Sequence, residues 1–172
     1  VLVGLGATSL SMTPAALGEV RADCEKYGLP LVVWAYPRGS AVAAKGGQDS
    51  FYAIDYAARM GMEMGADIVK INMPKVGLES DKDAPAPYNT MKVDQQEAIR
   101  QCVESAGRSL VVLSGGSKAS DAEVLEMTKM VMKAGGSGVI YGRNIWQRKP
   151  APAKKIVSAI GEVLVKNVIR TP

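Results

Sequence analysis

An α/β fold built on a parallel sheet is the class this sequence predicts, and three observations predict it. Five short, apolar, β-branched runs alternate with five amphipathic stretches of helical character, the signature of βαβ units. A glycine stands one to three residues ahead of most of the later runs, as in short αβ loops. The runs recur at an average of about 34 residues, close to the roughly 30 per βα unit of a barrel. The chain has 172 residues, of which 47% are apolar, enough for the core of a single domain spanning residues 1–172.

Each element follows from local residues. Strands are expected over residues 1–7, 31–36, 67–73, 109–113 and 138–141, and helices over 14–27, 50–64, 93–106, 121–134 and 152–168. Thr13-Pro14 and Ser120-Asp121 supply an N-cap followed by a favourable first turn. Gly28, Gly65, Gly107 and Gly135 stand where helices must stop. The stretch 75–93 is charged, contains Pro85 and Pro87, and is long for a βα loop; it reads as a lid or substrate loop, or as a disordered excursion. The final helix has an apolar stripe at Ile156, Val157, Ile160, Val163 and Leu164, expected to pack against the sheet.

Composition excludes several chemistries. With no histidine, there is no Ser-His-Asp or Cys-His catalysis, no HExxH zinc site and no histidine-ligated metal. Cys24 and Cys102 are far apart, form no CxxC pair, and read as reduced buried thiols of a cytoplasmic protein. No apolar run approaches the roughly 20 residues of a membrane span. A net charge of +4 is mild and suits either a solvated surface or a phosphate-bearing substrate. Aromatic residues make up 5% of the chain without basic–aromatic interleaving, so nucleic acid is not an expected partner.

The third strand places a lysine among apolar residues: Asp67-Ile-Val-Lys-Ile-Asn-Met73. Side chains alternate faces, so Val69 and Ile71 face the helices while Ile68, Lys70 and Asn72 share the other side. Lys70 either snorkels to solvent near the strand end or is a poorly solvated amine, available to attack a carbonyl. The second strand puts Val32, Trp34 and Tyr36 on one face. Tyr36, at the strand's end, is a core aromatic or a proton donor and acceptor.

Two glycine turns end the fourth and fifth strands: Ser114-Gly115-Gly116-Ser117-Lys118 and Gly142-Arg143-Asn144. Glycines let backbone N–H groups approach an anion, and Arg143 offers a fork of donors. Alternating units leave an open doubly wound sheet possible. Consecutive anion turns resemble instead the phosphate site that (β/α)8 barrels build after strands seven and eight. If the fourth and fifth strands are barrel strands seven and eight, the fold is a TIM barrel, incomplete, with five βα units corresponding to strands four to eight. Three N-terminal units are expected ahead of Val1.

Four motifs, in order, resemble those of the archaeal-type class I fructose-bisphosphate aldolases of the deoxyribose-phosphate aldolase superfamily. They are Leu31-Val-Val-Trp-Ala-Tyr-Pro-Arg-Gly39, Gly65-Ala-Asp-Ile-Val-Lys-Ile71, Leu113-Ser-Gly-Gly116 and Gly142-Arg-Asn-Ile-Trp-Gln147. The resemblance implies a TIM barrel that reversibly cleaves fructose-1,6-bisphosphate to dihydroxyacetone phosphate and glyceraldehyde 3-phosphate, with no cofactor and no metal. It implies that Lys70 forms the Schiff base, Tyr36 relays protons, and Trp34 lies beside it. Ser114, Gly115, Gly116, Gly142 and Arg143 would bind phosphate. Some members have a second lysine where Asn72 stands here. The family also uses an acidic residue from the first barrel strand, which is not among the strands read here. A homo-oligomer is implied for the full-length protein. Two alternatives remain: a related Schiff-base enzyme acting on another phosphosugar, and a non-catalytic half-barrel that needs a partner segment.

Overall fold

Parallel pairing in chain order sets the architecture. The computed structural model describes residues 2–3 and 13–167. Five strands, β1 (Leu2–Val3), β2 (Val32–Ala35), β3 (Ile68–Ile71), β4 (Leu110–Ser114) and β5 (Gly138–Ile140), pair in the order β1-β2-β3-β4-β5. Every neighbouring pair is parallel. The order never reverses, so there is no topological switch point of the doubly wound kind, and right-handed crossovers put all the connecting helices on one side. This is the arrangement of a TIM barrel wall, present here as a five-stranded arc.

The helices are α1 (Pro14–Tyr27), α2 (Ser40–Ala43), α3 (Phe51–Glu63), α4 (Gln95–Ser105), α5 (Asp121–Lys133), α6 (Arg143–Trp146) and α7 (Pro150–Lys166), with a 3-10 turn at Glu79–Asp83. Caps define the long ones. Thr13 Oγ1 accepts from the Ala16 N–H and Ser50 Oγ from that of Ala53. Ser120 and Glu123 close a reciprocal capping box. Gly28 takes the left-handed conformation expected of it (φ 64°), and its N–H bonds the last turn of α1.

One sheet face is the core. Val33, Ala35, Val69, Ile71, Val111 and Leu113 are buried there against Ile54, Ala57 and Ala58 of α3, Ile99 and Cys102 of α4, and Val131 of α5. Each such side chain contributes about 1.5–3 kcal/mol on burial. The opposite face is open: Trp34 (40%), Leu110 (53%) and Ile140 (40%) are exposed.

The structure departs from the sequence-based expectations in several places. The short helices α2 and α6 and the 3-10 turn were not expected; each is four or five residues and too brief to leave a periodic pattern. The stretch 75–93 is no disordered excursion but an ordered segment, with Tyr88 set against Phe51, Tyr52 and Tyr56. Both cysteines are free, but only Cys102 is buried; Cys24 is half-buried on α1. In α7, Ile156 and Ile160 are buried against Val124, while Val157 faces outward at 49% exposure. The expected first strand beyond Val3 and residue 168 of the last helix lie outside the described residues.

Gly61 illustrates how tightly α3 meets β3. A Cβ at this position would stand 2.9 Å from Val69 Cγ1 and 3.0 Å from Cγ2. An alanine gains about 1 kcal/mol of helix propensity. Overpacking a stiff β-branched neighbour costs about 1–3 kcal/mol and outweighs that gain. Gly61→Ala is therefore expected to lower the urea midpoint with an unchanged denaturant slope; a raised midpoint contradicts the packing described.

Candidate active site

Register brings the sequence-flagged residues into line. Trp34 pairs with Lys70, and Lys70 with Val112. Adjacent residues in a parallel ladder share a face, so Trp34, Lys70 and Val112 form a row across the open side of the sheet. One step toward the C-terminal strand ends, Tyr36, Asn72 and Ser114 form the next row. A cavity of about 710 Å³ lies over these rows, and all eight residues singled out from the sequence border it: Lys70, Tyr36, Trp34, Ser114, Gly115, Gly116, Gly142 and Arg143.

Lys70 is only 6% exposed. The solvent-snorkelling alternative is thereby overturned: the side chain lies against the Trp34 and Tyr36 rings rather than reaching out to bulk solvent. Its Nζ sits 3.6 Å from the centroid of Trp34 and 5.6 Å from that of Tyr36. The two rings are 6.1 Å apart and tilted by 33°. Lys70 has no carboxylate partner among the described residues. The amine is thus held against aromatic faces inside a cavity, in reach of a carbonyl carbon bound there.

The two glycine turns are held by polar contacts to their neighbours. Asn144, 1% exposed, accepts from the Ala119 N–H (2.7 Å) and donates to the Gly115 and Ser117 carbonyls (2.7 and 3.1 Å). Arg148 clasps the same region through the Asn144 and Ala119 carbonyls and Asp121. Gly115 admits no side chain, because a Cβ would lie 2.1 Å from the Tyr141 ring. Its N–H donates to Ile140 O (3.1 Å), so it contributes shape to the turn rather than a donor. Arg143 opens α6 at the cavity rim, exposed and without an ion pair among the described residues.

Several lining residues escaped the sequence reading. Arg38 lies over the Tyr36 ring, 5.5 Å from its centroid. Asp49 accepts from Asn72 Nδ2 (3.3 Å) and pairs with Lys75 (3.3 Å). Asp49 directly precedes the N-cap Ser50 and looks in sequence like an ordinary helix start. Asn144, which follows the flagged Gly142-Arg143 and lies behind the cavity wall, was read only as part of the turn, since nothing local distinguishes a buried asparagine from a turn residue. Arg38, Lys70, Lys75 and Arg143 face one acid, Asp49, across this cavity, so its charge favours an anionic ligand.

The segment after β3 is bolted to α3. Tyr88 donates a 2.5 Å hydrogen bond to Asp55, which is 3% exposed and also accepts from Gln101 (3.4 Å). Ser80 donates to the Gly46 carbonyl (2.9 Å). A second, apolar cavity of about 190 Å³ lies on the helix side of β2, lined by Val33, Tyr52, Tyr56 and Met60, and lacks convergent polar groups.

Comparison with known proteins gives the family of the chain. A model of the DeoC/LacD family of aldolases matches residues 11–148. The chain is 38% identical over 131 residues to the class 1 fructose-bisphosphate aldolase of Halobacterium salinarum, covering 76% of this chain and 41% of the relative. It is 32% identical over 149 residues to the Thermoproteus tenax enzyme of the same name, covering 86% of this chain and 48% of the relative. Among solved structures it superposes on an archaeal fructose-1,6-bisphosphate aldolase whose catalytic lysine carries the carbinolamine intermediate of its substrate. That match has a TM-score of 0.74 and 29% identity, covering 95% of this chain and 56% of the other. A fructose-bisphosphate aldolase from Slackia heliotrinireducens gives a TM-score of 0.78 at 29% identity, covering 96% and 48%. The chain thus spans about half the length of the relatives it matches.

Two measurements test this architecture. Asn144→Ala leaves the Ala119 N–H and the Gly115 and Ser117 carbonyls without their partner, and is expected to cost roughly 1–3 kcal/mol, read as a lower Tm. Burial, and then the hydrogen bond to Asp55, hold the Tyr88 phenol well above its ordinary value near 10. The folded protein keeps this proton where the unfolded chain loses it, so the stability it contributes falls as pH rises above about 10. The margin of wild type over Tyr88→Phe is expected to shrink in that range; a constant margin contradicts the assignment.

Proposed function

The chain belongs to the DeoC/LacD family of aldolases, and on that premise we propose that it supplies the catalytic wall of a class I, Schiff-base fructose-1,6-bisphosphate aldolase. The observation that supports this reading best is the buried Lys70 amine on the cavity face, 3.6 Å from the Trp34 ring centroid, in the same cavity as the glycine turns after β4 and β5. The open inner face, with Trp34, Leu110 and Ile140 exposed, favours a partial-barrel domain that works with further βα units across the cavity.

In the proposed reaction, the neutral Lys70 amine adds to C2 of fructose-1,6-bisphosphate, and the carbinolamine loses water to give an iminium ion. A base removes the C4 hydroxyl proton, and the C3–C4 bond breaks. Its electron pair flows into the iminium, leaving an enamine on Lys70 and releasing glyceraldehyde 3-phosphate. Protonation at C3 and hydrolysis then return the amine and dihydroxyacetone phosphate. Tyr36, at the end of β2 beside Lys70, is the group proposed to move these protons. Trp34 packs against the amine and the substrate carbons.

Phosphate anchoring is proposed at Ser114, Gly115, Gly116, Gly142 and Arg143. The N–H groups of Gly116 and Ser117 make no backbone bond among the described residues and are the donors of the first turn. Held there, the ketone is fixed at a set distance from Lys70, which accounts for much of the acceleration by positioning. The same reading places the protein in the cytoplasm, in glycolysis or gluconeogenesis, as a homo-oligomer when full length.

Cleavage of fructose-1,6-bisphosphate by the Lys70→Met and Tyr36→Phe variants tests the assignment. Lys70→Met is expected to abolish turnover. Tyr36→Phe is expected to lower kcat by about 10²–10⁴-fold while still forming a covalent adduct at Lys70. Turnover that survives in Lys70→Met contradicts the proposal.

A further inference from the structure

The turn after β4 takes its shape from its neighbours. Gly115 and Gly116 are consecutive glycines, and Gly116 is left-handed (φ 59°), so the backbone has little conformational preference of its own here. Contacts hold it instead. The Gly115 N–H donates to the Ile140 carbonyl (3.1 Å), and Asn144 Nδ2 donates to the Gly115 and Ser117 carbonyls (2.7 and 3.1 Å). The Cβ-less face of Gly115 rests on the Tyr141 ring, where a Cβ would lie 2.1 Å from Cδ1 and 2.8 Å from Cε1.

That ring is itself held from the helix side of the sheet. Tyr141 packs on the apolar cluster of Val124, Ile156 and Ile160, drawn from α5 and α7. Its hydroxyl donates to the Val124 carbonyl (3.1 Å) and lies 2.8 Å from Thr128 Oγ1. Val124 and Thr128 are fully buried. The phenol thus runs as a strut from the interior of α5 to the turn. Tyr141 does not line the cavity over Lys70, whereas Gly115, Gly116 and Ser117 do. The Gly116 and Ser117 N–H groups make no hydrogen bond among the described residues.

We propose that Tyr141 is a positioning residue: its ring, anchored in α5, sets the turn so that the Gly116 and Ser117 N–H groups meet a phosphate group of the substrate. The inference rests on the reading of the glycine turns as the phosphate anchor. Two glycines left without the ring relax into the space it vacates, and the two donors lose their common aim. The cost then falls on phosphate recognition, while the Lys70 amine, two strands away on the sheet floor, keeps its place.

Two measurements test this. Calorimetric titration with inorganic phosphate reads the anchor without chemistry at Lys70. Tyr141→Val is expected to raise the Kd about tenfold, roughly the loss of one hydrogen bond to a charged group. Partial unfolding would instead lower the stoichiometry and leave the Kd. Tyr141→Phe, which keeps the ring, is expected to retain most of the affinity; retaining no more than Tyr141→Val overturns the role given to the ring. In borohydride trapping, the preference of Tyr141→Val for dihydroxyacetone phosphate over dihydroxyacetone is expected to fall by a similar factor. A merely structural role lowers trapping of both ketones together, and an unchanged ratio overturns the proposal. If Tyr141→Val fails to fold, Tyr141→Leu takes its place, and an unchanged Kd there overturns the proposal equally. Wild type that binds no phosphate removes the anchor reading and this inference with it; wild type and Tyr141→Val binding phosphate equally well overturns the inference alone.

Discussion

Everything in the site depends on one constraint: an amine held in the middle of a strand, on the side of the sheet that no helix covers. Lys70 lies between Val69 and Ile71, whose side chains are fully buried among the helices. The strand cannot rotate to release the lysine without pulling those two out of the core, since a one-residue change of face exchanges every side chain. The core therefore pins the amine. Burying a cationic group without an ion pair is costly. The Trp34 face offsets part of that cost, by about 0.5–2 kcal/mol. A residue so expensive to place there, in line with an aromatic pair and on a cavity whose charged lining residues are mostly cations, is explained by chemistry better than by stability.

The loops around the cavity are held by a second set of constraints. The segment after β2 and the long segment after β3 are tied by Asp49–Lys75, by Ser80 to the Gly46 carbonyl, and by Tyr88 to Asp55. On the far side, Asn144 and Arg148 hold the turn after β4 to the start of α6. The floor is sheet, and hydrogen bonds, mostly part-buried, link the neighbouring loops of the rim. An anionic ligand positioned across such a rim needs the loops on both sides to stay put.

Much of this was legible in the sequence because it depends on local pattern. Alternation placed Lys70 and Asn72 on one face and Val69 and Ile71 on the other, and glycine spacing located the helix ends. The four ordered motifs point to the aldolase family by themselves. Illegible were contacts between residues distant in sequence. Asp49 and Asn72 are 23 positions apart, Asn144 and Gly115 29, and Tyr88 and Asp55 33. No periodicity reports such pairs; they exist only once the sheet brings adjacent loops together. Whether Lys70 snorkels or is enclosed was undecidable for the same reason, since Trp34 encloses it from the neighbouring strand.

The central claim is that the Lys70 amine captures a ketone. It is tested most directly by reducing the protein with borohydride in the presence of dihydroxyacetone phosphate and mapping the modified peptide by mass spectrometry. The account predicts a single ketone-dependent adduct on the peptide containing Lys70. An adduct confined to another lysine, such as Lys75, or no adduct at all, would contradict it.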